Sequence, residues 1–143
     1  MSKTISGIVT WLKQWFYDKN EIDTQLSDSG WQALTFSSGY ANYNSTEPLQ
    51  IRKIGNFVEI RGIIKPTAQK TASTSAVQFA TIPTGYRPTY TFRTTIAQGS
   101  GMNRWHLTAE TDGRLCWSRY GITSSVNLPS GAWLCVYMTY MID

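Results

Sequence analysis

The chain has 143 residues, a net charge of +4 and 15% charged residues, where soluble proteins average about 25%. This length fits one main domain. The chain contains 41% apolar and 13% aromatic residues, which is enough for a small hydrophobic core. Arginines alternate with aromatic residues in segments 87–93 and 104–119, but the small charge and the lack of a basic stripe disfavour nucleic acid.

The two cysteines, Cys116 and Cys135, do not match a metal site, which needs about four ligands at short spacings. Both lie in apolar segments, so we expect buried free thiols, with a single disulfide as the alternative. We expect no cofactor, because no phosphate loop, dinucleotide fingerprint or zinc spacing occurs. Lys13 interrupts the only early apolar run, so no signal peptide or membrane span is predicted. We expect assembly in a cytoplasm and release by a route other than secretion.

Residues 1–29 are predicted to form a helical stem. Apolar residues recur at both core positions of a heptad, which predicts a seam along an α-helix about 35–40 Å long. The seam residues are Ile5, Ile8, Leu12, Trp15, Ile22 and Leu26. Lys19 weakens the seam, since a buried ammonium is costly, and the helix could instead lie on its own protomer. The apolar belt of residues 15–17 favours a coiled coil of several chains.

Residues 30–143 are predicted to form a β-rich body. Short segments of alternating apolar and polar residues are separated by Gly, Pro, Ser and Asn, which is typical of strands and turns. The predicted strands are 31–36, 49–54, 57–65, 77–82, 91–98, two arms of a hairpin within 102–121, and 133–141. Gly55-Asn56 is predicted to close a hairpin between the second and third strands. About eight strands without a repeat predict an antiparallel β-barrel or sandwich.

The strongest turn signal is Asp112-Gly113, which predicts a two-residue type I′ turn. Such a turn fixes which residues face one another across the hairpin. The pairs would be His106 with Arg119, Thr108 with Trp117, and Glu110 with Leu115. The other face would be mostly apolar and would suit a core; it carries Trp105, Leu107, Ala109, Cys116, Ser118 and Tyr120.

The polar face of this hairpin predicts a saccharide-binding site. Cross-strand neighbours lie within about 5–8 Å, so an imidazole, a guanidinium, a carboxylate, a hydroxyl and an indole would meet there. An aromatic plate surrounded by planar polar groups is a common way to bind a sugar ring. The candidate residues are His106, Thr108, Glu110, Trp117 and Arg119. Trp117 could instead belong to the core and His106 to the plain surface, whereas Arg104 and Arg114 are expected to be solvated.

Several segments of the body, taken in their order and spacing, also resemble a known family. They are Gly30-Trp31, 51–58 with Arg61-Gly62, 82–88, Asn103–Trp117 and the chain end at 139–143. In the fourth segment an aromatic residue precedes His106, and Trp117 follows eleven positions after it. On these residues, the body resembles the head of receptor-binding (lower baseplate) proteins of tailed phages that infect lactic-acid and related bacteria.

This resemblance implies a homotrimer at the virion tail tip, joined by its coiled-coil stem to another baseplate or tail protein. It also implies a β-barrel head that binds host cell-surface polysaccharide near the boundary between protomers. In that family a His, a Trp, an Asp and an Arg contact the sugar, and His106 and Trp117 match the first two. Thr108 stands at the position of the family's Asp, so Glu110 is the candidate that would supply the carboxylate instead. Arg119 is the candidate for the family's Arg, because the predicted hairpin register sets it opposite His106.

Catalysis is not expected. A glycosidase needs two carboxyl groups about 5–5.5 Å or 6.5–9.5 Å apart. Glu110 and Asp112 share a face, but the turn already explains Asp112. A Gly-x-Ser-x-Gly nucleophile elbow is missing from the sequence. The sequence therefore predicts a non-enzymatic phage adhesin, with a structural fibre or baseplate knob as the alternative and a glycan depolymerase less favoured.

Overall fold

The computed structural model describes residue 12 and residues 27–96, 98–121 and 126–142. Most of the predicted stem lies outside these residues, including its seam positions Ile5, Ile8, Trp15, Ile22 and Leu26. Leu12 is helical and exposed, which tests neither the seam nor self-association. Within the described part of the chain, no helix has the length and apolar character needed to cross a membrane.

The described residues form ten strands and two short 3₁₀ turns. The strands are β1 (Gln32–Ala33), β2 (Thr35–Phe36), β3 (Tyr40–Asn42), β4 (Gln50–Ile54), β5 (Phe57–Pro66), β6 (Val77–Thr81), β7 (Phe92–Ile96), β8 (Trp105–Ala109), β9 (Arg114–Ser118) and β10 (Leu134–Met141). The 3₁₀ turns are Thr84–Tyr86 and Ser100–Met102. Every strand pair is antiparallel, as the sequence predicted.

The strands make two sheets that pack face to face. The first sheet has the order β1-β4-β5-β10, with β3 also paired to the far end of β5, and the second has the order β2-β6-β9-β8-β7. The two sheets do not close into a barrel, so the sandwich is the predicted architecture that occurs. Along one side β10 runs beside β7, where the rings of Phe92 and Tyr140 stack at 5.4 Å.

The core lies between the inner faces of the two sheets. Alternate residues of each strand point inward, and together they form one continuous apolar cluster. Its fully buried members include Ile51, Val58, Ile60, Phe79, Trp105, Leu107, Leu115 and Trp117. The edge of Trp105 meets the ring of Phe79 with centroids 6.4 Å apart. Trp105 was predicted to face the core, and that prediction is confirmed.

The β4–β5 hairpin confirms the turn predicted at Gly55-Asn56. Ile54 pairs with Phe57, so the loop has two residues, and Gly55 has a φ of +57°. By contrast, β3 lies in a segment rich in Ser, Gly and Asn that gave no strand signal.

The β8–β9 hairpin contradicts the predicted two-residue turn. Ala109 pairs with Leu115, and the Glu110 amide donates to the Arg114 carbonyl at 2.9 Å, so the loop consists of the three residues 111–113. The register is therefore shifted by one residue, and His106 lies opposite Ser118 rather than Arg119. A shift of one residue moves every side chain of one strand to the other face, so the predicted set of facing residues does not form.

The backbone at the turn explains the third loop residue. The carbonyl of Glu110 accepts a hydrogen bond from the Gly113 amide at 3.0 Å, and Gly113 then adopts a φ of +93°. A type I turn followed by a left-handed residue is the usual three-residue hairpin loop. Asp112 lacks the positive φ of a type I′ turn; its carboxylate instead accepts from the Arg114 amide at 3.0 Å. The hydrogen bonds from Arg114 lower the pKa of Asp112.

A contact from outside the hairpin also holds the turn. The Ile82 amide donates to the Gly113 carbonyl at 2.7 Å, and a Cβ on Gly113 would lie 2.8 Å from the Ile82 carbonyl oxygen. The connection after β6 therefore packs against a glycine that has no side chain to displace it. Only glycine meets both the backbone conformation and this close approach.

We expect Gly113→Ala to destabilise the protein by about 1–3 kcal/mol, because the left-handed conformation and the lack of space both disfavour a Cβ. Gly85→Ala is the matched control, since Gly85 has open space around it and no positive φ. Chemical denaturation of both variants measures the effect. Equal midpoints for the two variants would contradict the role assigned to the turn.

Candidate functional site

Trp117 lies in the core and not on the predicted polar face. Its side chain is 0% exposed, and its indole Nε1 donates a hydrogen bond to the hydroxyl of Tyr40 at 2.6 Å. The prediction that Trp117 forms an exposed plate is therefore wrong, and the cause is the three-residue loop. Because the register shifts by one, Trp117 pairs with Leu107 and shares its inward face.

The other predicted residues are only partly brought together. Thr108 and Glu110 remain on the face of β8 that carries His106, and Thr108 is 2% exposed. Glu110 accepts a hydrogen bond from the Thr91 hydroxyl at 2.8 Å. Arg119 lies just beyond β9 with a φ of +52° and is exposed. Without Trp117, the described strand residues on this face provide no indole, phenol or phenyl ring.

A second group of polar and aromatic side chains lies on the outer face of the first sheet, around a cavity of about 610 Å³. We call it the Arg61 cavity. It lies between β5, β10 and the segment before β4. Its principal side chains are Glu47, Gln50, Arg61, Gln98, Cys135 and Tyr137.

Strand register places three of these side chains in one row. Arg61 of β5 pairs with Gln50 of β4 on one side and with Tyr137 of β10 on the other. Directly opposed residues share a face, and their Cβ atoms lie about 4.5–5.5 Å apart. Tyr137 is 56% exposed, so one amide, one guanidinium and one phenol ring are presented together to solvent.

Trp31 fixes the position of the Arg61 side chain. The Arg61 Cζ atom lies 3.7 Å from the centroid of the Trp31 ring, which is a close cation–π contact. Arg52 also lies over this ring, at 4.6 Å, but it is held by two hydrogen bonds to Glu59 at 3.0 and 2.9 Å. The positive charge of Arg52 is therefore compensated within the protein, whereas Arg61 has no carboxylate partner among the described residues.

Four polar side chains of the Arg61 cavity lack a hydrogen-bond partner in the described part of the chain. They are Gln50, Arg61, Gln98 and Tyr137. Glu47 has one fixed contact, because its Oε2 atom accepts from the Asn44 amide at 3.0 Å. The cavity therefore offers a guanidinium, two amides, a phenol and a carboxylate to a ligand, and no residue of the described chain competes for most of these groups.

Gly62 shapes the wall of the cavity. Its φ is +143°, and a Cβ there would lie 2.6 Å from both the Pro48 carbonyl oxygen and the Leu49 Cα. The segment before β4 can therefore cross β5 at close range only because this residue has no side chain.

The cysteines are both free thiols in the structure, as expected, but only Cys116 is buried. Burial raises the pKa of Cys116 to about 11. Cys135 lines the Arg61 cavity and is partly exposed; burial, and then the charge of Glu47, raise its pKa. Both thiols therefore stay protonated at neutral pH. Among the described residues, no cluster of His, Cys, Asp or Glu could hold a metal ion.

The sequence indicated part of the Arg61 cavity. Arg61 and Tyr137 fall within the predicted strands 57–65 and 133–141, but neither strand carried a predicted site residue. No local pattern pairs residues 61 and 137, because their register depends on which distant strands meet. The stacking of Arg61 on Trp31 has the same origin, since Trp31 precedes β1 whereas Arg61 lies in β5.

The fold is that of known phage proteins. No protein-family model matches the chain, and no curated protein is similar to it. Among solved structures it is similar to the head domain of lactococcal phage bIL170, with a TM-score of 0.55, 16% identity, and coverage of 79% of this chain and 97% of that chain. It is also similar to gp15, the receptor-binding protein of Listeria phage PSA, with a TM-score of 0.52 and 20% identity over 96% of this chain and 80% of that chain.

These likenesses show that the chain has the fold of phage receptor-binding head domains, which the resemblance read from the sequence implied.

We expect Trp117→Ala to lower the free energy of unfolding by about 3–5 kcal/mol, because it leaves a large cavity in the core. It also removes the hydrogen bond to Tyr40. Trp31→Ala changes a partly exposed tryptophan and serves as the matched control, with a much smaller expected loss. Thermal and chemical unfolding measure both. A Trp117→Ala protein of native stability that had lost saccharide binding would restore the prediction made from the sequence.

Proposed function

We propose that this chain is a phage receptor-binding protein whose β-rich head attaches the virion to saccharide on the host cell surface. The observation that supports it best is the shared fold with two receptor-binding proteins of phages, which extends over most of this chain. In this proposal the protein sits at the tail tip, and residues 1–29 form a coiled-coil stem that joins it to another baseplate or tail protein.

The chemistry of the outer surface supports a saccharide as the receptor. Exposed aromatic rings, such as Tyr43 and Tyr137, provide flat apolar faces, and charged residues make up only 15% of the chain. Sugar hydroxyls exchange bonds with water for bonds of similar strength, so a single site is expected to be weak. Three sites per trimer and many trimers per virion would raise the effective affinity without any new contact.

The arrangement of carboxylates supports binding without cleavage. Glycoside hydrolysis needs two carboxyl groups at a defined separation. Glu47 is the one carboxylate among the described residues that line the Arg61 cavity. Elsewhere, Glu59 is held by Arg52 and Asp112 by Arg114. We therefore propose an adhesin and not a depolymerase.

We expect the purified full chain to bind whole cells and isolated wall polysaccharide from a subset of lactococci, Listeria and related Gram-positive bacteria. Incubation should leave the size distribution of the polysaccharide unchanged, which gel filtration of the incubated polymer measures. Shortened chains would contradict the adhesin proposal in favour of a depolymerase. Failure to bind any cell or wall fraction would favour a structural knob without a ligand.

We expect the full chain to be a trimer in solution, with the mass of three 16.1 kDa chains. Deleting residues 1–26 should weaken the trimer, because it removes the proposed coiled-coil seam. Light scattering of both proteins across a dilution series measures this. A full chain that stays monomeric would contradict the proposal, and an equally stable trimer after deletion would assign trimerisation to the head.

A further inference from the structure

We propose that the Arg61 cavity is the saccharide-binding site of this protein, and that its ligand is an uncharged segment of a polysaccharide. This inference rests on the proposed function and adds to it the location of the site and the class of sugar. It replaces the site that the sequence predicted on the β8–β9 hairpin.

The first argument is that Arg61 is held in place before any ligand arrives. The Trp31 ring covers one face of the guanidinium at 3.7 Å, so the side chain is restrained while its N–H groups remain at the edges of the plane. A planar fork of donors can span two neighbouring hydroxyl groups of a sugar. Because the orientation is set in advance, little conformational entropy is lost when the ligand binds.

The second argument concerns shape. The cavity volume of about 610 Å³ lies within the range of about 300–1,000 Å³ that is usual for ligand sites. Tyr137 stands beside Arg61 in the sheet and is exposed, so its ring can pack on the apolar face of a sugar ring. The cavity therefore combines an aromatic surface with the guanidinium beside it, as the hairpin was predicted to do.

The third argument is the supply of unused hydrogen-bonding groups. The side-chain amides of Gln50 and Gln98 both donate and accept, and in the described chain neither has a partner. Sugar hydroxyls also donate and accept, so amides match them in either orientation. An apolar ligand would leave these groups without hydrogen bonds, which is unfavourable.

The charges of the cavity indicate an uncharged ligand. Arg61 and Glu47 are the charged side chains among its described lining residues, and their charges are opposite. A polyanion would gain from Arg61 but would be repelled by Glu47. Binding of an uncharged sugar depends little on ionic strength, whereas binding of a polyanion weakens as salt screens the attraction.

The experiment compares variants of the full chain on soluble wall-polysaccharide fragments from the strain that the unmodified protein binds best. Arg61→Ala and Tyr137→Ala should each weaken binding about tenfold or more. The matched controls are Arg104→Ala, at an exposed arginine just before β8, and Tyr90→Ala, at a tyrosine 73% exposed. These controls and His106→Ala should stay within about twofold. Circular dichroism and unfolding curves confirm that each variant folds.

Covalent modification of a cysteine in the cavity provides a second test, in which Arg61 and Tyr137 are left unchanged. N-ethylmaleimide at mildly alkaline pH should modify Cys135, which is partly exposed, and leave the buried Cys116 intact. The adduct would fill part of the cavity and reduce binding. Cys135→Ser is compared with itself, with and without the reagent: its binding should not change on treatment, which shows that any loss in the unmodified sequence comes from modification at this position.

The outcomes separate the location of the site from the function. Loss of binding in His106→Ala, with Arg61→Ala and Tyr137→Ala unaffected, would overturn the Arg61 cavity and assign the site to the hairpin face, while the adhesin function stands. Failure of the unmodified protein to bind any fragment would overturn both. Binding that weakens tenfold between about 50 and 500 mM salt would overturn the uncharged ligand and indicate an anionic one.

Discussion

The hydrogen bond between the Trp117 indole and the Tyr40 hydroxyl, 2.6 Å long, joins the two sheets inside the core. Trp117 belongs to β9 of the second sheet and Tyr40 to β3 of the first. A buried indole N–H without a partner would be unfavourable, so this contact selects the register that turns Trp117 inward. Burial raises the pKa of Tyr40, although the bond from Trp117 acts in the opposite direction, and the hydroxyl stays neutral and able to accept. The three-residue loop of the β8–β9 hairpin and this buried contact require the same register, and together they exclude the predicted sugar plate.

Most of the strands could be predicted from the sequence, because alternation and turn residues are local signals. The two hairpins show that local signals do not determine the length of a hairpin loop. Gly55-Asn56 and Asp112-Gly113 look alike in the sequence, but only the first forms a two-residue loop. At the second, the Ile82 amide binds the Gly113 carbonyl from another part of the chain. A contact between distant segments therefore decided the length of the loop, and one residue of loop length decided which side chains face the core.

The candidate site differs in place from the one that the sequence predicted. The predicted combination of an aromatic ring with planar polar groups does not form on the hairpin, but the same combination occurs on the outer face of the first sheet. Alternation along β5 sets Arg61 on the face opposite Val58 and Ile60, yet Gln50 and Tyr137 become its neighbours only through the pairing of β5 with β4 and β10. Trp31 lies more than 20 residues before the arginines it covers. The residues of the hairpin are close in the sequence, whereas the lining of the cavity comes from four separate segments of the chain.

Buried and outward-facing residues alternate strictly along β10, so one set of side chains packs in the core and the other set forms the surface. Leu134, Val136, Met138 and Tyr140 point inward and are buried, while Tyr137 and its outward neighbours contribute nothing to that core. Replacing an outward residue therefore alters what the surface recognises at small cost to folding. In the proposed adhesin, such positions would be free to change with the host while the scaffold is retained. This chain and its structural neighbours keep one fold at 16% and 20% identity, so the scaffold itself accepts replacement at most of its positions.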